Sequence, residues 1–250
     1  MRPRKLDQPR SWPFIVGAWF LRPALVMTTK RDWIDGLNIP ATGGCVLVMN
    51  HLSHVDPLTA AVFTHDHGRL PRYLAKSGLF RNRFLGIFLR AAGQIPVERA
   101  SASAAGAYAA AVEAVNAGEC IVIYPEGTIT RDPGLWPMTG KSGAARIALE
   151  TGCPVVPIGQ WGAQELLAPY AKRPDLFPRK TVSIKVGDPV DLSDLADEPQ
   201  DAEVLAVATG RIMDAITTIV EELRGETAPP ERFDLKKARA RNGRPLEDER

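Results

Sequence analysis

Cys45-Val46-Leu47-Val48-Met49, then Asn50-His51-Leu52-Ser53-His54-Val55, then Asp56-Pro57-Leu58-Thr59-Ala60-Ala61-Val62-Phe63 read as three things in succession. The first five residues form a short, unbroken apolar run, the pattern of a strand buried on both faces. Asp56-Pro57 is a helix start, with Asp as N-cap and Pro as the first helical residue. Between them lies a polar loop that carries His51. A buried strand feeding a helix is the unit of an α/β fold, and such folds place their chemistry in the loops that leave strand ends. An imidazole is a general base near neutral pH, and a carboxylate beside it fixes its tautomer and stabilises the charge it acquires. His51 and Asp56 stand five residues apart, a spacing that does not stack two side chains on one helix face. They meet only if the loop folds His51 back toward the helix start. Capping alone explains Asp56 equally well, and a carboxylate has two oxygens, so both roles are compatible.

Strand-like and helix-like runs alternate downstream of this unit. Residues 73–75, 94–97, 121–124, 155–158 and 181–186 read as strands. Residues 80–92, 103–117 and 143–151 read as helices, the last two closed by Gly118 and Gly152. Residues 202–223 form an amphipathic helix with Leu205, Ile212, Ile216, Ile219 and Leu223 on one stripe. The alternation predicts an α/β fold with a mixed, largely parallel sheet flanked by helices. A chain of 250 residues suits one such domain, placed at 35–225. Residues 226–250 are Pro-rich, charged and nearly free of large apolar side chains, and are expected to be a flexible tail.

The net charge of +2 says little, but its distribution is uneven. Residues 1–32 hold seven Lys and Arg against Asp7 and Asp32, and residues 69–99 hold seven against Glu98 alone. Both stretches also carry aromatic and large aliphatic side chains, a combination that suits an anionic membrane surface or an anionic, partly apolar ligand. Nucleic acid is disfavoured, because no binding motif accompanies the charge. The apolar stretch 12–27 is interrupted by Arg22-Pro23 and falls short of the ~20 apolar residues that span a bilayer. Residues 1–34 are therefore expected to dock on the membrane as an interfacial helical hairpin, with Trp12, Trp19 and Trp33 at headgroup depth. Cys45, Cys120 and Cys153 lie in or beside apolar runs and read as buried thiols of a reduced cytosolic protein.

Three further stretches carry possible chemistry. Gly93-Gln94-Ile95-Pro96-Val97-Glu98-Arg99 ends a strand in an arginine, whose planar fork suits a phosphate. A surface Arg99 paired with solvent or Glu98 explains it too. Tyr124-Pro125-Glu126-Gly127-Thr128 follows a buried strand; Gly127 permits close backbone approach and Glu126 can accept hydrogen bonds from a polyol, although a plain turn also fits. Gly152-Cys153-Pro154-Val155-Val156-Pro157-Ile158 reads mainly as core. Two rival chemistries are disfavoured. All four histidines fall between His51 and His67, but they lack the i, i+4 helical pair of the common zinc proteases, so no metal is expected. Gly140-Lys141-Ser142 lacks the glycine spacing of a phosphate loop. A non-catalytic membrane-surface module remains a third possibility, one that needs no His51–Asp56 pair.

In their order and spacing these blocks resemble the glycerolipid acyltransferase family, which includes the lysophosphatidate acyltransferases. Asn50, His51, Ser53 and Asp56 match its N-H-x-S-x-x-D block; Gly93, Ile95, Pro96, Val97 and Arg99 match G-x-I-P-V-x-R; Pro125, Glu126, Gly127 and Thr128 match F-P-E-G-T, with Tyr124 at the aromatic position. Lys76 and Lys141-Ser142-Gly143 also look like family positions, and the likeness spans roughly residues 35–190. Ile129 stands where the family often has arginine, with Arg131 two residues on. The resemblance implies transfer of an acyl group from coenzyme A or acyl carrier protein to a hydroxyl of a glycerol-phosphate lipid acceptor, without a cofactor. The favoured acceptor is 1-acyl-glycerol 3-phosphate; glycerol 3-phosphate and other lysophospholipids are alternatives. It casts His51 as base, Asp56 as its support, Arg99 and Lys76 as phosphate ligands, and Glu126, Gly127 and Thr128 as the wall of the glycerol site. Together with the membrane-directed N-terminal segment, this leads to the expectation of a peripheral or monotopic enzyme on the cytoplasmic face of the cell membrane.

Overall fold

The computed structural model describes residues 4–6, 11–97 and 103–242. Within them the strands are β1 (Thr29–Ile34), β2 (Cys45–Met49), β3 (Pro71–Lys76), β4 (Ile95–Val97), β5 (Cys120–Ile123), β6 (Val155–Trp161) and β7 (Lys180–Val186). The helices are α1 (Trp12–Thr28), α2 (Asp56–Asp66), α3 (Arg83–Ala91), α4 (Ser103–Asn116), α5 (Gly143–Thr151), α6 (Ala163–Leu166), α7 (Ala202–Arg224) and α8 (Leu235–Asn242). One sheet runs β1-β7-β6-β2-β5-β3-β4. The five strands from β6 to β4 are parallel, β7 is antiparallel to β6, and β1 runs parallel to β7. This is the mixed, largely parallel sheet that the alternation of elements predicts.

The central strand β2 is buried along its whole length, and its two faces feed different cores. Val46 and Val48 join Ile121, Ile123 and Val155 against α4, α5 and α7. Cys45, Leu47 and Met49 join Val122, Val156 and Ile158 against Ala60 and Phe63 of α2. Period-two alternation within apolar strands thus yields a three-layer sandwich. Gly152, at φ 65°, closes α5 as expected, because the left-handed C-terminal position suits a residue without a Cβ.

Four local expectations change. The stretch after residue 28 is not the second arm of a hairpin. It is β1, an edge strand in register with β7, and Trp33 packs edge-on against Phe63 with ring centroids 5.4 Å apart. α1 is a single helix that continues through Pro23 and packs on α2 and α3. The helix expected over 80–92 begins only at Arg83, because Asn82 accepts from the Phe84 and Leu85 amides and restarts the chain as an N-cap after a 3-10 turn. The segment after 225, expected to be flexible, packs on the body. Ala228 N–H donates to Glu221 Oε1 (2.8 Å), and Phe233 O accepts from Thr139 N–H (3.0 Å). Its low apolar content hid this, because hydrogen bonds and the Arg232–Asp214 ion pair do much of the holding. Residues 243–250 lie outside the described residues.

The basic stretch 69–99 also divides. Arg69 is buried and donates to the carbonyls of Pro40, Gly43 and Gly118, so it is a structural cation rather than a surface one. Arg72 pairs with Glu119 at 2.7 Å. The Cys45 and Cys120 thiols are buried neighbours in register on β2 and β5, and all three cysteines are free.

Candidate active site

The parallel strands β2, β5 and β3 lie side by side and end on the same edge of the sheet. His51 follows β2, the Tyr124–Thr128 turn follows β5, and Lys76 ends β3. Strand order therefore gathers three sequence-distant motifs at one edge, the usual position of ligand loops in open α/β sheets.

The loop after β2 does fold back. His51 Nδ1 lies 2.8 Å from Asp56 Oδ2, and Asp56 is fully buried. The same oxygen accepts the Leu52 and Ser53 amides at 2.5 and 2.8 Å. Asp56 is the first residue of α2 and does not cap it; its carboxylate turns backward to order the loop. A carboxylate facing Nδ1 makes that nitrogen the donor and leaves the lone pair on Nε2, the form a general base requires. The imidazole stacks on Tyr124, with centroids 4.3 Å apart and planes at 24°. Tyr124 in turn lies parallel to Tyr73 at 6.4 Å, and the Tyr73 hydroxyl donates to Pro57 O (2.9 Å). The histidine is thus fixed at its ring edge by Asp56 and at its face by an aromatic plate.

Its backbone is fixed as well. His51 N–H donates to Glu126 Oε1 (2.9 Å), and Thr130 N–H donates to His51 O (2.8 Å). Met138 N–H donates to Glu126 Oε2 (3.0 Å). Glu126 is buried, so both its oxygens serve loop backbone instead of lining an open polyol site. Burial pushes its pKa up to about 8, partly opposed by the two amide donors. Gly127 adopts φ 70°, and the Lys141 side chain lies where a Cβ would sit, its Nζ 2.9 Å from that position. Lys141 thereby reaches the turn after β5 from the start of α5. Thr128 Oγ1 stands 3.5 Å from the Tyr170 hydroxyl, which donates to Ile129 O (2.7 Å). Arg131 stacks over the Tyr170 ring at 3.6 Å, at the edge of the same turn. Ile129 itself is buried.

Lys76 is exposed at the end of β3, in register with Val97 of β4. Arg99 lies outside the described residues. Ser53 Oγ donates to Leu167 O (2.7 Å) and braces the loop. Asn50 and Gln160 exchange three hydrogen bonds between the ends of β2 and β6. Sequence reasoning missed Gln160, Tyr73, Met138 and Tyr170 as parts of the site. Each reaches it through contacts distant in the chain, and only Tyr73 carried a local signal, its strand. Behind the Tyr73 ring an apolar cavity of about 200 Å³ opens between α1, α2 and α3, walled by Phe14, Leu21, Leu58, Val62 and Phe88. A basic nitrogen thus stands on an aromatic pair whose outer ring, Tyr73, lines an apolar slot. The nitrogen can activate a hydroxyl.

Residues 34–161 match the family model described as Acyltransferase. A 1-acyl-sn-glycerol-3-phosphate acyltransferase of Bacillus subtilis is 29% identical over 192 residues, covering 76% of this chain and 85% of that protein. One from Borreliella burgdorferi is 35% identical over 135 residues, covering 50% of this chain and 52% of that protein. The crystal structure of the 1-acyl-sn-glycerophosphate acyltransferase of Thermotoga maritima superposes with a TM-score of 0.61 at 21% identity, covering 86% of this chain and 84% of that one.

Proposed function

The chain belongs to the acyltransferase family, and we propose that it acylates 1-acyl-glycerol 3-phosphate to phosphatidic acid, with His51 as general base and an acyl thioester as donor. The observation that carries the reading is the 2.8 Å contact between His51 Nδ1 and the buried Asp56 carboxylate, which leaves Nε2 basic. Nε2 takes the acceptor hydroxyl proton as its oxygen attacks the thioester carbonyl. The tetrahedral intermediate collapses with loss of the thiolate, which recovers the proton from the imidazolium. An ester and a thiol result, and no enzyme nucleophile is needed. Lys76 is a candidate phosphate ligand at the end of β3, with Gly127 and Thr128 at the glycerol end. The apolar cavity beside Tyr73 suits a hydrocarbon chain.

The acceptor is delivered at a membrane surface in this reading. Trp12, Trp19 and Phe20 of α1 are exposed, as are Phe84 and Ile87 of α3, and Trp12 packs edge-on against Phe88 so that the two helices present one apolar face. Arg81, Arg83 and Arg90 are exposed in and just before α3, in position to meet lipid phosphates. Among the described residues no helix is long and apolar enough to cross a membrane. Peripheral docking on the cytoplasmic face fits these features. The test is an acceptor panel of lysophosphatidate, glycerol 3-phosphate and other lysophospholipids. Long-chain acyl-CoA and acyl carrier protein serve as donors, and His51→Ala as the control. Turnover confined to lysophosphatidate is expected. Thioester consumption that is indifferent to His51 would overturn the mechanism.

A further inference from the structure

Arg224, the last residue of α7, and the segment after it lie far from His51 in sequence but are tied to it in space. Met138 and His51 share the Glu126 carboxylate through their amides. The loop that presents Met138, residues 131–139, is knit into a unit. Asp132 Oδ1 accepts the Gly134 and Trp136 amides (2.8 and 3.1 Å), and Thr130 Oγ1 donates to Trp136 O (2.8 Å). Leu135 sits within it at φ 61°, a strained conformation for a side-chain-bearing residue that persists only where surrounding contacts enforce it.

Many of those enforcing contacts come from the C-terminal part of the chain. The Arg224 guanidinium packs over the indoles of both Trp136 (3.8 Å) and Trp161 (4.3 Å), donates to Gly134 O (2.7 Å) and pairs with Glu226. Thr139 N–H donates to Phe233 O, while Ala228 and Arg232 fasten the segment to Glu221 and Asp214 of α7. Between Trp136–Pro137 and the Thr217, Glu221 and Arg232 side chains a crevice of about 300 Å³ remains. On that side the loop is held at a few points rather than by continuous packing.

We propose that Arg224 and residues 226–233 are positioning elements of the active site. They hold the 131–139 loop where Met138 N–H reaches Glu126, and Glu126 holds the backbone of His51. The inference rests on the acyltransferase role of His51. A shift of about 1 Å in a catalytic group is enough to slow chemistry by ~10²-fold, so a strap acting through two carboxylate hydrogen bonds has leverage on turnover. Such a strap should act on kcat, because it touches neither substrate.

Full-length Arg224→Ala, Arg224→Lys and Arg232→Ala chains test this against wild type. Steady-state kinetics with lysophosphatidate and a long-chain acyl-CoA read kcat and KM separately, and hydrogen–deuterium exchange reads the amides of Met138 and His51. Arg224→Ala is expected to lower kcat by ~10- to 100-fold with both KM values within about 3-fold, and to deprotect the two amides together. Arg224→Lys keeps the charge but loses the planar fork, and recovers part of both effects. Arg232→Ala gives a smaller change in the same direction. A lower melting temperature with unchanged kcat per folded molecule overturns the proposal. So does loss of protection at Met138 with none at His51. Should Arg224→Ala not fold, Arg232→Ala decides on the same two readouts. A wild type that transfers no acyl group to any acceptor refutes the functional reading instead, and the exchange data still decide the coupling between Arg224 and His51.

Discussion

His51 concentrates the interactions of the site on one residue. Asp56 holds its ring edge, Tyr124 its face, Glu126 its N–H and Thr130 its carbonyl. Removing the base with His51→Ala should lower kcat by ~10²–10⁴-fold with the fold intact, and near-wild-type turnover would sink the mechanism. Asp56→Asn should cost a comparable factor, because an amide turned toward Nδ1 favours the wrong tautomer and its NH₂ group cannot accept the Leu52 and Ser53 amides. Glu126 makes a prediction about pH. Its folded pKa of about 8 stands above the ordinary value of 4.5, so the native state binds the proton more tightly than the unfolded chain. Its contribution to stability is fully present below the unfolded value and is lost as pH rises through the folded one. Melting curves across pH 4.5–8 should therefore show wild type losing stability relative to Glu126→Gln as pH rises; parallel curves would refute the shifted carboxyl. The His51–Asp56 pair was legible in sequence because five residues of loop suffice to bring them together. The role of Glu126 was not, because both its partners lie elsewhere in the chain.

At the scale of elements, strands were legible where apolar runs are short and unbroken, as in β2 and β5. β1 escaped because Thr29–Ile34 contains Lys30, Arg31 and Asp32, whose side chains are exposed at the sheet edge. α1 and α3 lie in the two stretches whose basic and apolar composition suggests a membrane surface, and Trp19, Phe20 and Phe84 are about three-quarters or more exposed. An apolar face of this extent on two adjoining helices calls for a surface to cover it. Trp19→Ser combined with Phe84→Ser should weaken partitioning to anionic vesicles by ~10-fold or more, since each large side chain contributes on the order of 1.5–3 kcal/mol when buried. Flotation with phosphatidylglycerol and phosphatidylcholine vesicles measures it, and unchanged binding would remove these helices from membrane docking.

In the proposed reading, stability and chemistry lie at opposite ends of the parallel strands. At their carboxyl ends lie His51, the Tyr124–Thr128 turn and Lys76. At their amino ends Arg69 gathers the carbonyls of Pro40, Gly43 and Gly118 from the loops before β2 and β5. Arg69→Ala should cost ~3 kcal/mol or more, because it removes the buried charged donor that three part-buried loop carbonyls share, while kcat of the folded fraction stays near wild type. Chemical denaturation with activity measured below the transition separates the two quantities, and a large drop in kcat would contradict the division. Sequence alone determined what depends on neighbours within a few residues: the apolar runs, the helix start at Asp56-Pro57, and the order of blocks that resembles acyltransferases. Only the tertiary structure decided which oxygens Glu126 offers and to whom, that Arg69 faces inward, that β1 joins the sheet, and that the segment after Arg224 braces the loop behind the site. Those outcomes follow from strands distant in the chain lying side by side in the order β1-β7-β6-β2-β5-β3-β4. Local periodicity and propensity contain no term for such pairings, which are set by how the whole chain buries its apolar surface.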